Sequence, residues 1–426
     1  MIDIKEVLKD PNKMRANINA RCSNVDLDAI LEKRQSYLKQ IGHVESLQFE
    51  SNNIAKSMKT SAAEDRPALI AKGQELKRMV GLAKEGLNEL DEALDTEVRK
   101  LPNFMSEDVP IGTKETDNKI ISTFGEPTTF NFKPLDHLEL GQKLDLIDFE
   151  SGAKVTGTKF YFLKNQAVLL QHAIKSFVFK KAIEQGFTPL QAPDIARNNI
   201  LEGVGFVPRG DESNTYEIAG MDMSLVATAE ISVGGMHSDE IIDIKKLPLL
   251  YAAESHCFRR EAGTAGKASK GLYRVHQFEK IELFALTLPQ QSEEIHEKIR
   301  SLEESIYQDL EIPYQVVLNC SADLGAPAYK KYDIEAWMPG KGDAGEYGEV
   351  TSASNCTDFQ ARRLKIRYKN PNTGKNQFVH TLNGTASALG RTMIVLMENY
   401  QNEEGGIRIP RVLKPYTGFD MIAPIV

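Results

Sequence analysis

Apolar side chains recur at steps of three, four and seven residues along the N-terminal quarter of the chain. The more regular stripe contains Leu69, Leu76, Val80, Ala83, Leu87, Leu90, Leu94 and Leu101. A looser stripe precedes it, at Leu27, Ile30, Leu31, Leu38, Ile41, Val44, Leu47, Ile54 and Met58. The polar segment 61–67 separates the stripes and ends in a proline, which suits the first turn of a helix. The pattern therefore predicts two long helices that form an antiparallel coiled-coil hairpin over about residues 26–101.

The hydrophobic pattern changes from about residue 135 onward. Short strand-like segments, such as 159–163, 271–278 and 280–286, alternate with glycine-containing turns. Because strands and helices do not alternate regularly, we expect a mostly antiparallel sheet flanked by helices, that is, an α+β fold. The predicted domains are residues 1–110, which include the hairpin, and residues 111–426.

Composition and charge narrow the class of protein. The chain has 426 residues, 41% hydrophobic and 26% charged, which is typical of globular proteins with two or three domains. It contains neither a run of eighteen apolar residues nor an apolar N-terminal signal, so we expect an intracellular protein without membrane contact. The net charge of −8 does not indicate nucleic-acid binding, although it says little about one face of one domain. The four cysteines are widely scattered, at Cys22, Cys257, Cys320 and Cys356. This spacing favours reduced thiols over a zinc site.

The first group of candidate functional residues surrounds a glycine-containing loop. Residues 257–282 predict a strand, a loop over 264–271 and a second strand. The alternation of side chains along a strand places Arg274, His276 and Phe278 on one face. An arginine and an aromatic ring suit a nucleotide, because the guanidinium binds phosphate and the ring stacks on the base. An ordinary hairpin with a solvated basic loop fits the same residues.

Two further groups lie nearer the C-terminus. A stretch of small residues over 380–390 leads into a predicted helix with Arg391 near its start, and small residues let a ligand approach the backbone. Residues 347–363 carry Glu349 and Ser352, whose oxygen atoms suit Mg²⁺ on a nucleotide. A packing crossover into a core helix and a polar surface loop are the alternative interpretations of these two segments.

The three groups together resemble the signature motifs of the class II aminoacyl-tRNA synthetases. Residues 257–278 are similar to motif 2 and residues 384–391 to motif 3. Residues 186–193 resemble motif 1, which builds the dimer interface in that class. The helical hairpin narrows the resemblance to the seryl-tRNA synthetases, and so do the amino-acid sequences of segments 228–230, 354–363 and 380–384.

The resemblance implies that the chain activates serine with ATP and transfers it to tRNA(Ser), with Mg²⁺ as cofactor. The residues expected to bind ATP are Arg259, Glu261, Arg274, Phe278, Glu349, Ser352 and Arg391. Those expected to carry the chemistry are Arg259, Glu261, Arg274 and Arg391, while Glu349 and Ser352 would hold Mg²⁺. Those expected to bind serine are Thr228, Glu230, Arg259, Glu282, Asn383 and Thr385.

The same resemblance implies that the hairpin reads the long variable arm of tRNA(Ser) and that the chain forms a homodimer. Basic residues of the hairpin that would contact phosphates are Lys33, Arg34, Lys39, Lys56, Lys59, Lys72, Lys77 and Arg78. A solvated coiled-coil face is the alternative interpretation of each of them.

The chain departs from the usual sequence of this family at three places. Ala227 replaces a proline, residues 385–387 replace Ser-Gly-Leu, and Gly348 replaces an arginine. These changes touch the edge of the serine pocket and could alter serine affinity. Segments 332–339, 348–354 and 422–424 resemble the mitochondrial branch of the family. This resemblance implies a location in the mitochondrial matrix, with the cytoplasm as the alternative.

Two other functions compete with this interpretation. A related ligase could pass an activated amino acid to an acceptor other than tRNA, but such an enzyme would not need the long basic hairpin. A catalytically silent paralogue could bind RNA alone. The retention of every charged residue expected to handle ATP argues against that alternative.

Overall fold

The computed structural model describes residues 1–206, 214–261 and 270–424. The chain divides into two compact units, Met1–Pro102 and Asn103–Val426. The sequence suggests tRNA binding for the first domain and catalysis for the second, and both assignments stay predictions. None of the helices in the described ranges is long and apolar enough to cross a membrane.

Two long helices dominate the first unit. Its helices are α1 (Ile4–Lys9), α2 (Pro11–Ala20), α3 (Leu27–Thr60) and α4 (Arg66–Val98). Asp26 caps α3 by accepting a hydrogen bond from the backbone N–H of Ala29, and Pro67 lies in the first turn of α4. A proline fits there because the first N–H groups of a helix have no partner within it. These local signals explain where both helices begin.

The two long helices run antiparallel, as the sequence predicts. Lys33 forms an ion pair with Glu97, whereas Ile54, further along α3, lies beside Gly73. The seam is apolar, with buried side chains at Val44, Leu47, Leu76 and Ala83. Leu38 belongs to the predicted stripe but is 47% exposed. An α-helix has 3.6 residues per turn rather than 3.5, so a stripe drifts off the contact line over several turns.

The second unit combines short helices with one large sheet. Its helices are α5 (His137–Lys143), α6 (Phe149–Thr156), α7 (Gln166–Glu184), α8 (Asn198–Val204), α9 (Ala229–Met236), α10 (Ser292–Asp309), α11 (Phe359–Leu364), α12 (Leu389–Asn399) and α13 (Lys414–Thr417). Its strands are β1 (Lys119–Phe124), β2 (Ile147–Asp148), β3 (Phe162–Leu163), β4 (Thr188–Gln191), β5 (Ile195–Arg197), β6 (Met223–Leu225), β7 (Ile241–Ile242), β8 (Leu249–Phe258), β9 (Gln277–Thr287), β10 (Tyr314–Leu318), β11 (Lys330–Met338), β12 (Glu346–Asn355), β13 (Arg367–Lys369), β14 (Asn376–Phe378), β15 (His380–Ala388), β16 (Ile407–Arg408) and β17 (Met421–Ile422).

The large sheet has eight strands in the order β1-β10-β11-β12-β15-β9-β8-β4. Its neighbouring strands are antiparallel except for the edge pair β4 and β8, which is parallel. Helices cover both faces, because Leu283 of β9 belongs to a core that includes residues of α7, α10 and α12, whereas Phe284 packs with residues of α8, α9 and α11. The predicted α+β fold is therefore confirmed.

The individual strand predictions had mixed success. Segment 280–286 lies within β9, as predicted. The prediction of a strand over 271–278 was wrong, because Gly271–Tyr273 forms a 3₁₀ turn and β9 begins only at Gln277. Most of the predicted loop 264–271 lies outside the described residues. The hairpin itself is present, since β8 and β9 pair antiparallel from Leu249 opposite Leu286 to Phe258 opposite Gln277.

Candidate active site

A cavity of about 290 Å³ opens where β8 and β9 meet β12 and the junction of β15 with α12. The predicted substrate-binding residues that line it are Arg259, Glu261, Arg274, Phe278, Glu349, Ser352, Thr385 and Arg391. The others are buried polar side chains, at Thr228 immediately before α9, Glu230 of α9, Glu282 of β9 and Asn383 of β15. One face of the sheet therefore brings together residues that are far apart in the sequence.

Arg259 stands immediately after β8 and is held by the other strand of the hairpin. Its backbone N–H donates to the carbonyl of His276, and its guanidinium carbon lies 5.2 Å from the centroid of the Phe278 ring. The side-chain Nε also donates to the carbonyl of Ala227 at 3.4 Å. The ring packs against the planar guanidinium, whose further N–H groups can bind a phosphate or carboxylate in the cavity.

Glu261 and Arg274 form an ion pair at the wall of the cavity. The Nη1 atom of Arg274 lies 3.2 Å from Oε2 of Glu261. Glu261 has a φ of +52°, in the left-handed region that residues other than glycine rarely adopt. Such conformations occur often at functional sites, where the surrounding structure imposes them. The pair presents a cation for phosphate and an acceptor suited to an adenine amino group.

Arg391, the third residue of α12, contacts the other side of the cavity. Its Nη1 donates to the carbonyl of Glu349 at 2.9 Å and lies 3.2 Å from the Glu349 carboxylate. The guanidinium carbon is 4.5 Å from the centroid of the Tyr273 ring. Burial is the largest single effect and disfavours both charges, but the attractions around them together outweigh it, with Arg391 and Lys331 acting on Glu349 and with Glu349 and Tyr273 acting on Arg391. The pKa of Arg391 is therefore raised and the pKa of Glu349 is lowered, so both groups remain ionised at neutral pH.

A β-bulge places Glu349 and Ser352 on the same face of β12. Thr351 pairs with Ile334 and Glu349 with Glu335, so the residue between Glu349 and Thr351 has no partner on β11. Without the bulge, two residues three positions apart would point to opposite faces. The bulge therefore makes it possible for both oxygen groups to line the cavity.

This donor set fits Mg²⁺. Glu349 provides an ionised carboxylate, and Ser352 provides a hydroxyl on the same cavity wall. Across the described ranges, three or more His, Cys, Asp or Glu side chains are nowhere clustered so that they could hold a metal ion. Mg²⁺ usually takes only one or two carboxylates from a protein and completes its shell with water and substrate phosphates. The residues of the cavity match that requirement.

Glu230, at the start of α9, is a buried carboxyl group with neutral hydrogen-bond partners. Gln360 donates to its Oε1 at 2.5 Å, and Asn383 donates to the same oxygen at 2.7 Å. Burial and the neighbouring Glu282 raise the pKa of Glu230 to about 7. A cation that arrives beside Glu230 would favour its ionised form. The site therefore suits an amine.

The hydroxyl of Thr228 indicates that the site binds a polar ligand. The residue is 2% exposed, and among the described residues this buried hydroxyl has no hydrogen-bond partner. Leaving such a group unpaired costs about 1–3 kcal/mol, and a polar group of a ligand would remove that cost. Thr385 donates to Oε2 of Glu282 at 3.4 Å, so the deeper polar groups are connected to the cavity wall.

Among the residues at the site that were not predicted, three make contacts with predicted ones. Lys280 forms a buried ion pair with Glu282, Gln360 orients Glu230, and Tyr273 packs on Arg391. The period of two along β9 could have revealed Lys280, because it stands between Phe278 and Glu282 on one face. No pattern in the sequence marks Gln360 or Tyr273, whose positions depend on tertiary packing.

The predicted orientation of His276 was wrong. The structure brings Arg274 and Phe278 to the cavity, but the His276 ring stacks on Phe160 at 5.4 Å and its Nδ1 lies 2.9 Å from the hydroxyl of Tyr216. The neighbouring Val275, expected on the opposite face, lines the cavity instead. The cause is the 3₁₀ turn, which breaks the alternation of side chains before the strand begins.

Comparisons with known proteins agree with this geometry. The family described as tRNA synthetase class II core domain (G, H, P, S and T) matches residues 216–400, and the Seryl-tRNA synthetase N-terminal domain matches residues 1–105. The serine–tRNA ligase of Treponema denticola is 49% identical over 423 residues, which cover 99% of this chain and 100% of the relative. That of Borrelia recurrentis is 49% identical over 427 residues and the full length of both.

Solved structures show the same similarity. A seryl-tRNA synthetase from Pyrococcus horikoshii, complexed with ATP, matches with a TM-score of 0.94 and 39% identity over the full length of both chains. A cytoplasmic serine–tRNA ligase from Naegleria fowleri, in complex with AMP, has a TM-score of 0.86 and 30% identity and covers 98% of this chain and 96% of its own.

The sheet, the cavity and the matched core domain define a class II aminoacyl-tRNA synthetase. The N-terminal match and the full-length relatives narrow the class further. The chain belongs to the seryl-tRNA synthetase family.

Proposed function

We propose that this chain activates L-serine with ATP, forming seryl-adenylate and pyrophosphate, and then transfers serine to the 3′ end of tRNA(Ser). One observation carries the proposal. Arg259, Glu349 and Arg391 converge on a single cavity, and the carboxyl groups of Glu230 and Glu282 lie buried beside it. Cations and a metal-binding carboxylate suit a nucleoside triphosphate, while the deeper acids suit an amino acid.

The first step is an attack of the serine carboxylate on the α-phosphorus of ATP, with pyrophosphate as leaving group. Arg259 binds both the α-phosphate and the serine carboxylate, which neutralises the charge that develops as they approach. Arg274 and Arg391 bind the outer phosphates, and Phe278 stacks on adenine with Glu261 near its amino group. Positioning and charge stabilisation are sufficient for this step, so no protein nucleophile is required.

Glu349 and Ser352 are the residues that we assign to Mg²⁺. When bound there, the ion would neutralise and polarise the phosphate oxygens. Arg391 contacts the same carboxylate, so it holds Glu349 in place at the cavity wall. The ion pair also keeps Glu349 ionised, the form that a metal ligand requires.

The buried polar groups provide a basis for choosing serine. Thr228, Glu230, Glu282, Asn383 and Thr385 offer acceptors and donors for the amine and hydroxyl of the substrate. A site that hydrogen-bonds a substrate hydroxyl rejects an analogue that lacks it, because its own polar groups are then left unpaired. Alanine should therefore be a poor substrate.

In the second step, a hydroxyl of the terminal ribose of tRNA attacks the seryl carbonyl, and AMP leaves. We assign the α3–α4 hairpin to binding of the variable arm of the tRNA. Lys33 and Arg78 are engaged in ion pairs with Glu97 and Glu75. Candidate phosphate contacts that are exposed on the hairpin are Lys39, Lys56, Lys59, Lys72 and Lys77.

Assembly and compartment complete the proposal. The resemblance of residues 186–193 to motif 1 supports a homodimer, and β4, within this segment, forms the edge of the large sheet. The mitochondrial location that the sequence suggests has no support from the relatives named above, which include proteins of Treponema denticola and Borrelia recurrentis. We therefore propose the cytoplasm.

The test is serine-dependent exchange of labelled pyrophosphate into ATP without tRNA, followed by aminoacylation of tRNA(Ser). Alanine, threonine and cysteine serve as controls for the exchange. Exchange with serine alone, and serylation of the tRNA, would support the proposal. A folded protein that binds tRNA(Ser) but exchanges with none of these amino acids would support the silent paralogue instead.

A further inference from the structure

Lys280 is a buried lysine that the proposed chemistry does not use. It projects from β9 between Phe278 and Glu282, and only 7% of the residue is exposed. Its Nζ lies 2.6 Å from Oε2 of Glu282 and 3.5 Å from the hydroxyl of Thr385. The Thr385 hydroxyl in turn lies 3.4 Å from the same Glu282 oxygen, so the three side chains form a closed triangle.

The triangle lies beside the second buried acid. Both hydrogen bonds that Glu230 accepts from described side chains end on its Oε1, and both donors are neutral amides. Lys280 and Glu282 nevertheless act on Glu230 electrostatically, with opposite signs. Two carboxyl groups and one ammonium group thus share one pocket, in which charges interact more strongly than in water.

We propose that Lys280 is a positioning residue that fixes Glu282 and sets the charge of the amino-acid pocket, so that the pocket accepts the amine of serine as its second cation. The inference rests on the proposed function of the site. With Lys280 present, the two carboxyl groups face Lys280 and the substrate amine once serine has bound. Without it, the attraction that lowers the pKa of Glu230 is lost, so Glu230 retains its proton to a higher pH.

Other groups also face this pocket and are unchanged by the test. Cys257, near the end of β8, interacts electrostatically with both Lys280 and Glu282, and Glu303 of α10 interacts with Glu282. Arg259, which follows β8, acts on Cys257. Neutral partners are Gln360 from α11 and Asn383 and Thr385 from β15. Substitution of Lys280 alone therefore isolates its contribution to the pH dependence.

The experiment compares Lys280→Met with the wild-type protein in serine-dependent pyrophosphate exchange between pH 5.5 and 8.5. We expect the KM for serine to rise at least about tenfold, because hydrogen bonds to charged groups are lost. We also expect the midpoint of its pH dependence to move up by about one pH unit. The KM for ATP should not change. An unshifted midpoint, or an equal rise in the KM for ATP, would overturn the proposal.

Two further variants separate charge from folding. Lys280→Arg retains the cation, so its pH midpoint should stay at the wild-type value even if its KM for serine changes. The double variant Lys280→Met, Glu282→Gln removes one charge of each sign, and its midpoint should return toward the wild-type value. If Lys280→Met does not fold, as judged by circular dichroism and thermal melting, the pH midpoints of these two variants test the proposal. A midpoint that moves in Lys280→Arg as well would show a steric effect and overturn the proposal.

Failure of the inference and failure of the proposed function give different results. A wild-type protein that shows no serine-dependent exchange would contradict the function itself. Normal wild-type exchange together with an unshifted Lys280→Met midpoint would contradict only the role of Lys280.

Discussion

Titration of Glu230 makes serine binding depend on pH. Burial and Glu282 raise the pKa of this carboxyl from 4.5 to about 7. Each pKa unit corresponds to about 1.36 kcal/mol, so ionising Glu230 in the folded protein costs about 3 kcal/mol more than in water. The ammonium group of serine offsets this cost by binding the ionised form. Substrate and proton therefore compete for the same carboxyl group.

The expected result is a KM for serine that falls as pH rises and levels off above about pH 7. Below the pKa, each pH unit removes a factor of ten from the ionised fraction, so the KM should rise about tenfold per unit. The KM for ATP should stay constant over the same range. Pyrophosphate exchange at graded serine concentrations between pH 5.5 and 8.5 measures both constants.

Glu230→Gln is the matched control, since it keeps the shape and removes the titration. Its KM for serine should be high and independent of pH. A second effect follows for stability: a carboxyl whose pKa is raised on folding destabilises the fold as pH increases from 4.5 through 7. Glu230→Gln should therefore raise the melting temperature more at pH 8 than at pH 5. A pH-independent KM in the wild type, or a pH step that persists in Glu230→Gln, would refute the reasoning.

The remaining predictions concern selectivity, the hairpin and packing. Thr228→Val should raise the KM for serine about tenfold while the KM for ATP stays the same, because the substrate loses the hydrogen bond that the Thr228 hydroxyl would provide; an unchanged KM for serine in pyrophosphate exchange would contradict this. Deletion of residues 25–101 should spare serine-dependent exchange and strongly reduce aminoacylation of tRNA(Ser), and normal aminoacylation would exclude the hairpin from tRNA binding. Gly384→Ala should lower the free energy of unfolding by about 1–3 kcal/mol in thermal or urea melts, because overpacking displaces neighbouring groups. An added Cβ would lie 2.4 Å from both Oε1 of Glu303 and Cγ2 of Ile299, and an unchanged stability would show that these side chains can move.

The helical hairpin was predictable from local pattern alone. α3 and α4 bury one stripe each, Asp26 caps the first helix, and Pro67 lies in the first turn of the second. Each of these signals lies within a few residues of the feature that it determines. The order of strands in the large sheet was not predictable in the same way. β15, for example, lies between β9 and β12, and such non-local pairings leave no periodic signal.

Most of the residues predicted for the site line one cavity, but the geometry that brings them together could not be predicted. Glu349 and Ser352 are three positions apart, a spacing that places two side chains on opposite faces of a regular strand. The bulge on β12 brings both side chains to the same face. His276 was misplaced because the 3₁₀ turn before β9 cannot be read from side-chain alternation. Lys280 was missed because lysine usually lies on protein surfaces, although its position between Phe278 and Glu282 on one face of β9 was a signal that could have revealed it.

Arg259 tests the central claim most directly, since the proposal requires it to bind both substrates of the activation step. Arg260, its exposed neighbour, provides a matched control on the same segment. The measurement is serine-dependent pyrophosphate exchange by Arg259→Ala and Arg260→Ala, each shown to fold by circular dichroism. The account predicts that Arg259→Ala loses at least about a hundredfold in exchange rate, as for other groups that stabilise developing charge, and that Arg260→Ala keeps a rate near the wild type. A folded Arg259→Ala protein with near-normal exchange would contradict it.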